Sequence, residues 1–561
     1  MATPKGLDRL FCGKIFTGSS FLEGVDALGI EDGKVVAMGH AQDLRGLCGA
    51  ATSIENLGRG CIAPGFVDPH THYSITSFMP FMADCRTPPL GSIGEIVEQL
   101  RRKAEDTEDG HWVMGWGYDE SLLREHRHPV REEMDRACAH HAAILLHGSL
   151  HQCVANSLAL DLCGIDKWRK EPPGGKIGRD RSGSPNGVLW ERAATEPYQL
   201  ARKDLLVLRD AEIVDIFAAN GLRYARWGIV RVADAAVGPL EKKMYEKALA
   251  EGRLPIQVDW MEVGLENMFT PPHHLLTGSP NGSASIVKLF LDGAEQCRLE
   301  MSLLGMVEGL AKMIRAALAG KSIRLSTLGQ TPVKVGRDGK VRLGFFLNDP
   351  REILGIVREA HRLGYPIATH ALGNGAVQKI LEIYRQVQDE YGPPSKPFRI
   401  EHALFLTEDL IREMAELKVV AVVQPAFVYH YGALLQTQPV PRRLMILPLR
   451  RMLDAGVLVS GSSDHPCAPE DPLFAMDCAV RRVTRDGDCM DPGQSIRVEE
   501  ALALYTQNAA RASHCQDAQG TLEEGRSADL VILSGDPRAL GFHGIRVMET
   551  IVAGKTVWKA D

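Results

Sequence analysis

Residues Pro64 to His72 read PGFVDPHTH. In an extended strand, side chains two apart point to the same face, so His70 and His72 present two imidazoles about 6–7 Å apart along the strand. That separation suits chelation of one metal ion. Ile62, Phe66 and Val67, punctuated by Pro64 and Gly65, read as a short buried strand at 62–67 entered through a turn rather than as helix. The histidine pair therefore sits where a strand ends. Spacing alone favours the plain structural reading, because two histidines at i and i+2 also occur by chance.

Outward from this strand, apolar runs alternate with helical stretches, the pattern of a parallel α/β fold. Further strands are expected at 228–235 (GIVRVADA), 255–263 (PIQVDWMEV), 285–291, 365–370 (YPIATH), 398–402 (FRIEH), 418–424 (KVVAVVQ) and 456–463 (GVLVSGSS). With 62–67 they number eight. A (β/α)8 TIM barrel is the economical reading, with its site where the strands end. The chain ends differ: EDGK at 31–34 and AGK at 553–555 mark tight turns between short alternating segments. Neither end holds enough strands for a stable sheet alone. The expected division is a small β-sandwich domain built from both termini, 1–61 and 517–561, around a barrel domain at 62–516. The stretch from about 75 to 227 is far longer than a βα unit and reads as an inserted subdomain covering the mouth of the barrel.

Composition sets outer limits. The chain has 561 residues, 45% of them hydrophobic and 24% charged, as in an ordinary globular protein. Net charge of −7 supplies no concentrated positive field, which argues against nucleic acid or an anionic membrane as partner. Twelve cysteines without a CxxC pair read as free thiols of a reducing compartment. With neither a signal-peptide pattern in MATPKGLDRLF nor a long apolar run, a cytoplasmic location is expected.

PGFVDPHTH closely resembles the motif that ends the first barrel strand of the metal-dependent amidohydrolases. Over residues 10–560 the chain resembles the YtcJ-like branch, amidohydrolase family 3, which includes N-substituted formamide deformylase. The text that carries the likeness is PGFVDPHTH, HGSLHQCVANSLAL, VKLFLDGA, ATHALGNGAV, RIEHA, SSDHPCAPEDPL and GTLEEGRSADLVIL. One departure is that the insertion of this branch usually carries Ser-Gly-His, whereas here the text is Gly148-Ser149-Leu150-His151. The resemblance implies one or two divalent metal ions, Zn2+ by preference, held by His70, His72, His370, His402 and Asp464.

Those residues fall where the barrel reading demands. His370 closes the fifth strand, His402 closes the sixth, and Asp464 follows the eighth. Lys288 lies among apolar neighbours in IVKLFL on the fourth strand, where desolvation drives an amine toward its neutral form. A neutral amine captures carbon dioxide, and relatives use a carboxylated lysine on this strand as a bridging ligand. The alternative is an unmodified Lys288 beside a single metal. His151, Trp116 and Glu191 of the insertion are the candidate substrate contacts, and Glu191 is a substitute bridging ligand.

The implied reaction is hydrolysis of a non-peptide C–N bond in a small amide, such as an N-substituted formamide or other N-acyl amine. Metal-activated hydroxide attacks, and Asp464 shuttles the proton to the leaving nitrogen. Two alternatives stand beside it. Deamination of a heterocycle usually uses a Glu three residues after the fifth-strand histidine, where this chain has Gly373. A non-catalytic small-molecule-binding regulator would be expected to have lost a ligand, and none is missing. Family analogy also implies a homodimer.

Overall fold

The computed structural model describes residues 6–265, 268–277, 285–294, 296–319 and 332–561; the first five residues of the N-terminal stretch lie outside this set. Eight parallel strands form one sheet in the order Leu458–Gly461, Val420–Val423, Arg399–His402, Ile367–Ala371, Ser285–Phe290, Gln257–Glu262, Ile229–Val237, Phe66–Thr71. Backbone bonds across the seam draw the sheet round: Asp464 N donates to the His70 carbonyl at 2.8 Å and His72 N to the His465 carbonyl at 2.9 Å. The architecture is a TIM barrel. Its helices follow the usual amphipathic logic. Pro350–Arg362, for example, starts at the N-cap Asp349, has Pro at N1, and buries Ile353, Ile356, Val357 and Ala360 on one face.

The expected first strand is displaced. Residues 62–64 finish a strand at Cys48–Pro64, and the barrel strand begins at Phe66. Gly65 joins the two. A Cβ there would stand 2.3 Å from a methyl of Val230, so only glycine lets the chain pass between the sheets.

Both chain ends meet in a seven-stranded sheet ordered Lys555–Lys559, Val547–Val552, Leu530–Leu533, Cys48–Pro64, Leu7–Ile15, Ala27–Glu31, Lys34–Gly39. Its two short hairpins turn through Asp32–Gly33 and Ala553–Gly554, each with both φ angles positive, the twist that two-residue loops require.

Between barrel strands 1 and 2 the chain builds a six-stranded sheet of its own, running from Ala83–Asp84 at one edge through Val113–Tyr118, Ala143–His147, Gln152–Ala155 and Pro185–Glu191 to Gly175–Arg179. A second excursion, between barrel strands 4 and 5, adds a three-stranded sheet of Leu299–Ser302, Lys340–Leu343 and Val333–Val335. All twelve cysteines are free thiols. Among the described residues, no helix is long and apolar enough to cross a membrane.

Candidate active site

The C-terminal ends of the barrel strands converge on one cavity of about 200 Å3, and His70, His72, Lys288, His370, His402 and Asp464 all line it. The period-two pattern sets the first pair: their ring centroids are 5.9 Å apart, and both Nε2 atoms face Asp464 Oδ1, at 3.4 Å for His70 and 3.2 Å for His72. These three donors lie within 4.8 Å of one another, close enough to share a single ion. His402 approaches from across the barrel, with its ring 5.1 Å from His70 and 4.5 Å from His370. His402 and Asp464 hold φ angles of 76° and 53°, left-handed conformations that turn the chain sharply at the strand ends.

Each imidazole of the first and sixth strands is braced through Nδ1. His70 meets a Glu401 oxygen at 2.5 Å, His72 the Ala235 carbonyl at 3.0 Å, and His402 the Gln424 oxygen at 2.8 Å. Nε2 is then the atom turned toward the cavity. His370 is set differently: its Nε2 is buried without a hydrogen-bond partner, 3.8 Å from Asp292 Oδ1. An unsatisfied buried nitrogen among three other imidazoles and a carboxylate fits a set of residues built to hold a metal ion.

The charges support the same picture. Burial, joined by the charge of Lys288, pushes His70 down to about 3. Burial also lowers His370 and His402, so these imidazoles are neutral and able to act as ligands. Asp464 is held below the usual carboxylate range: burial opposes this, but its contacts with the imidazoles of His72, His70 and His402 outweigh it. Lys288 is fully buried, with Nζ 4.9 Å from the Phe290 ring centroid, and makes no hydrogen bond or ion pair among the described residues. Desolvation brings it down to about 8, against the pull of Glu401 and Asp464.

Of the three insertion residues, only His151 lines the cavity. Trp116 stands away from it, half-buried, its ring centroid 5.3 Å from the Arg86 guanidinium. The Glu191 carboxylate meets His151 Nδ1 at 2.7 Å and lines a smaller neighbouring hollow. Glu401, Arg399 and Gln424 are the residues sequence reasoning missed. Strand alternation puts Glu401 on the face opposite His402, and only the left-handed turn at His402 brings both to the site. Asp119, Glu120 and His147 also gather beside the cavity, which Asp119 and His147 line, with His147 Nε2 3.1 Å from Glu120 Oε2.

Residues 54–558 match the amidohydrolase family. The chain belongs to that family. It is a metal-dependent amidohydrolase, an enzyme that hydrolyses carbon–nitrogen bonds other than peptide bonds. Among proteins similar to this amidohydrolase are the N-substituted formamide deformylase of Arthrobacter pascens, 29% identical over 91% of this chain and 90% of that protein, and the putative amidohydrolase YtcJ of Bacillus subtilis, 24% identical over 98% of each. A metal-dependent hydrolase from Pyrococcus horikoshii OT3, itself uncharacterized, has the same fold, with a TM-score of 0.66 at 22% identity over 95% of this chain and 99% of that one.

Proposed function

We propose that this amidohydrolase cleaves an N-substituted formamide or similar N-acyl amine carrying an apolar N-substituent, using one or two Zn2+ ions held by His70, His72, His370, His402 and Asp464. The observation that carries the reading is the bracing of His70, His72 and His402 through Nδ1, the arrangement by which outer partners fix metal-binding histidines. Imidazole and carboxylate donors suit Zn2+. Lys288 joins them as a carbamate: its neutral amine attacks carbon dioxide, an N–C bond forms as one C–O π bond opens onto oxygen, one proton leaves the nitrogen, and the neutral amine becomes an anionic oxygen ligand.

A bound divalent ion supplies Lewis acidity and brings the pKa of its water to about 7. The chain does the rest. Asp464, ionised and between the two first-strand imidazoles, holds at a carboxylate oxygen the proton given up by the attacking water, then passes it to the departing nitrogen. Amide nitrogen leaves poorly until protonated, so the carboxylate is needed at this place. Phe290, Phe405, Phe427, Tyr431 and Leu434 make an apolar wall on the same cavity, which supports an apolar N-substituent. The formyl group is suggested by the similarity to the Arthrobacter N-substituted formamide deformylase.

The same reading keeps the expected division, a small β-sandwich at 1–61 and 517–561 and a barrel at 62–516 with its insertion at about 75–227, with the first join moved to Gly65, because residues 62–64 belong to the terminal sheet. Phe11, Leu28, Ile30, Ile532 and Ile551, drawn from both chain ends, share one apolar cluster that supports the sandwich. Twelve free thiols support a cytoplasmic location, and family precedent supports a homodimer. Elemental analysis with native mass spectrometry tests the metal centre: about two Zn per chain and a labile 44 Da adduct lost in Lys288→Ala are expected. A metal-free protein that takes up no Zn2+ on dialysis refutes the site.

A further inference from the structure

The excursion between barrel strands 4 and 5 carries the helix Leu303–Leu318, capped by Ser302, whose side chain accepts from Gly305 N. Its inner face is narrow. Gly305, Gly309 and Met313 are buried, and a Cβ on Gly309 would stand 2.3 Å from the Pro439 carbonyl carbon. Glycine thus lets the helix lie against Pro439, which also lines the main cavity. The outer face is apolar. Leu303, Leu304, Val307, Leu310, Ile314 and Leu318 are all exposed, Leu304 at 78% and Leu318 at 84%. At about 100° per residue these six fall in one stripe about 120° wide. They offer on the order of 600 Å2 of contiguous apolar surface, against the roughly 800 Å2 per partner of a standard interface. A patch of that size belongs against another apolar surface.

The face is complementary to itself. Residues 303, 307, 310 and 314 are spaced four, three and four apart, the seam along which paired helices interlock. The pattern is also symmetric about the point between Leu310 and Ala311: Leu303 and Leu318 lie equally far from it, as do Val307 and Ile314. An antiparallel copy related by a two-fold axis at that point sets Leu303 against the partner's Leu318 and Val307 against the partner's Ile314. The charges agree. Glu308 and Arg315 border the same edge of the stripe on opposite sides of the midpoint, so the axis brings Glu308 beside the partner's Arg315, and does so twice. A membrane surface asks for no such symmetry, and Glu308 at the edge would oppose anionic headgroups.

We propose that the helix Leu303–Leu318 is the centre of a two-fold interface between two copies of this chain, paired antiparallel about Leu310. Such a contact uses one patch twice and closes at two copies. The inference gives a face to the homodimer that family precedent supports without one, and it does not depend on the amide chemistry.

Sedimentation of the full chain at micromolar concentration tests it. Wild type is expected at twice the chain mass of 61.5 kDa. Val307→Glu sets a carboxylate against the partner's Ile314 on both sides of the axis and should raise the dimer Kd at least about 100-fold, leaving a monomer with wild-type circular dichroism, since Val307 is exposed within its own chain. Glu308→Arg and Arg315→Glu should each weaken the dimer about 10-fold, and the two together should restore it, because both pairs are then reversed. A monomeric wild type overturns dimer and face alike, and co-flotation of that monomer with phosphatidylcholine–phosphatidylglycerol vesicles would give the face to a membrane. A dimer that Val307→Glu leaves intact keeps the homodimer and overturns this face. A charge-swapped double variant no tighter than the single ones overturns the antiparallel register.

Discussion

Replacing Glu401 by leucine separates two effects that meet on one carboxylate. Arg399 is fully buried and donates to Glu401 Oε1 at 3.0 Å and Oε2 at 3.1 Å, and also to the carbonyls of Ala512 and Pro69 at 2.9 and 3.0 Å. On its other side Glu401 braces His70. Removing the carboxylate leaves a buried guanidinium without its counter-charge, a cost of about 3–5 kcal/mol. For a domain of this size that lowers the apparent melting temperature of the chelator-stripped protein by roughly 3–6 °C. His70 simultaneously loses its outer partner, which weakens metal binding about 10–100-fold, or about 1.4–2.7 kcal/mol. The two costs come apart in the double variant Arg399→Met/Glu401→Leu. With neither charge of the Arg399–Glu401 pair left, most of the stability should return, while the metal defect should remain. Thermal unfolding with chelator present and equilibrium dialysis against a chromophoric chelator read the two quantities separately. A double variant no more stable than the single one, or undiminished metal affinity in Glu401→Leu, refutes the reasoning.

Gly65→Ala should destabilise the fold by about 1–3 kcal/mol, because its methyl meets Val230 inside a packed wall, and should also weaken metal uptake, since the strand it displaces carries His70 and His72; unfolding and dialysis measure both. Stability should also respond to pH through His430, which burial and the neighbouring Arg485 charge bring down to about 4. Below the ordinary imidazole value of about 6.5 the unfolded chain takes the proton first, so stability should fall by up to about 3 kcal/mol as pH drops from 6.5 to 4. His430→Gln should flatten that slope in denaturant titrations at stepped pH. Lys288→Met should reduce bound Zn by about one equivalent and abolish the labile adduct, as read by elemental analysis and native mass.

Much of the barrel was legible because buried parallel strands are short apolar runs at regular intervals, and strands 2 to 8 lie within two residues of where the sequence places them. The first strand was misplaced for a physical reason: Ile62 to Val67 is a single apolar run, and nothing in its hydropathy marks Gly65 as the join between two sheets. The site residues His70, His72, Lys288, His370, His402 and Asp464 come together because chemistry-bearing side chains at strand ends are visible in one dimension. Their supports are not. Alternation assigns Glu401 to the face opposite His402, and the two reach the site together only because the backbone turns left-handed at His402; Gln424 lies on another element altogether. In the insertion, His151 reaches the cavity and Trp116 does not, a distinction set by how two sheets meet rather than by any local pattern. The three-stranded sheet between barrel strands 4 and 5 gave no warning, since Val333–Val335 and Lys340–Leu343 are short and partly polar.

The central claim is that this cavity hydrolyses an amide with Asp464 carrying the proton and a metal ion held beside it. The most direct measurement is turnover of an N-substituted formamide with an apolar substituent by three samples: chelator-stripped enzyme, the same enzyme reconstituted with Zn2+, and Zn-loaded Asp464→Asn. Loss of a positioned proton carrier costs on the order of 10^2–10^4-fold. The expected result is therefore negligible turnover without metal, recovery with Zn2+, and at least a 100-fold deficit in Asp464→Asn while its His-bound metal is retained. Full activity in the stripped enzyme, or an Asp464→Asn variant that turns over at the wild-type rate, contradicts the account.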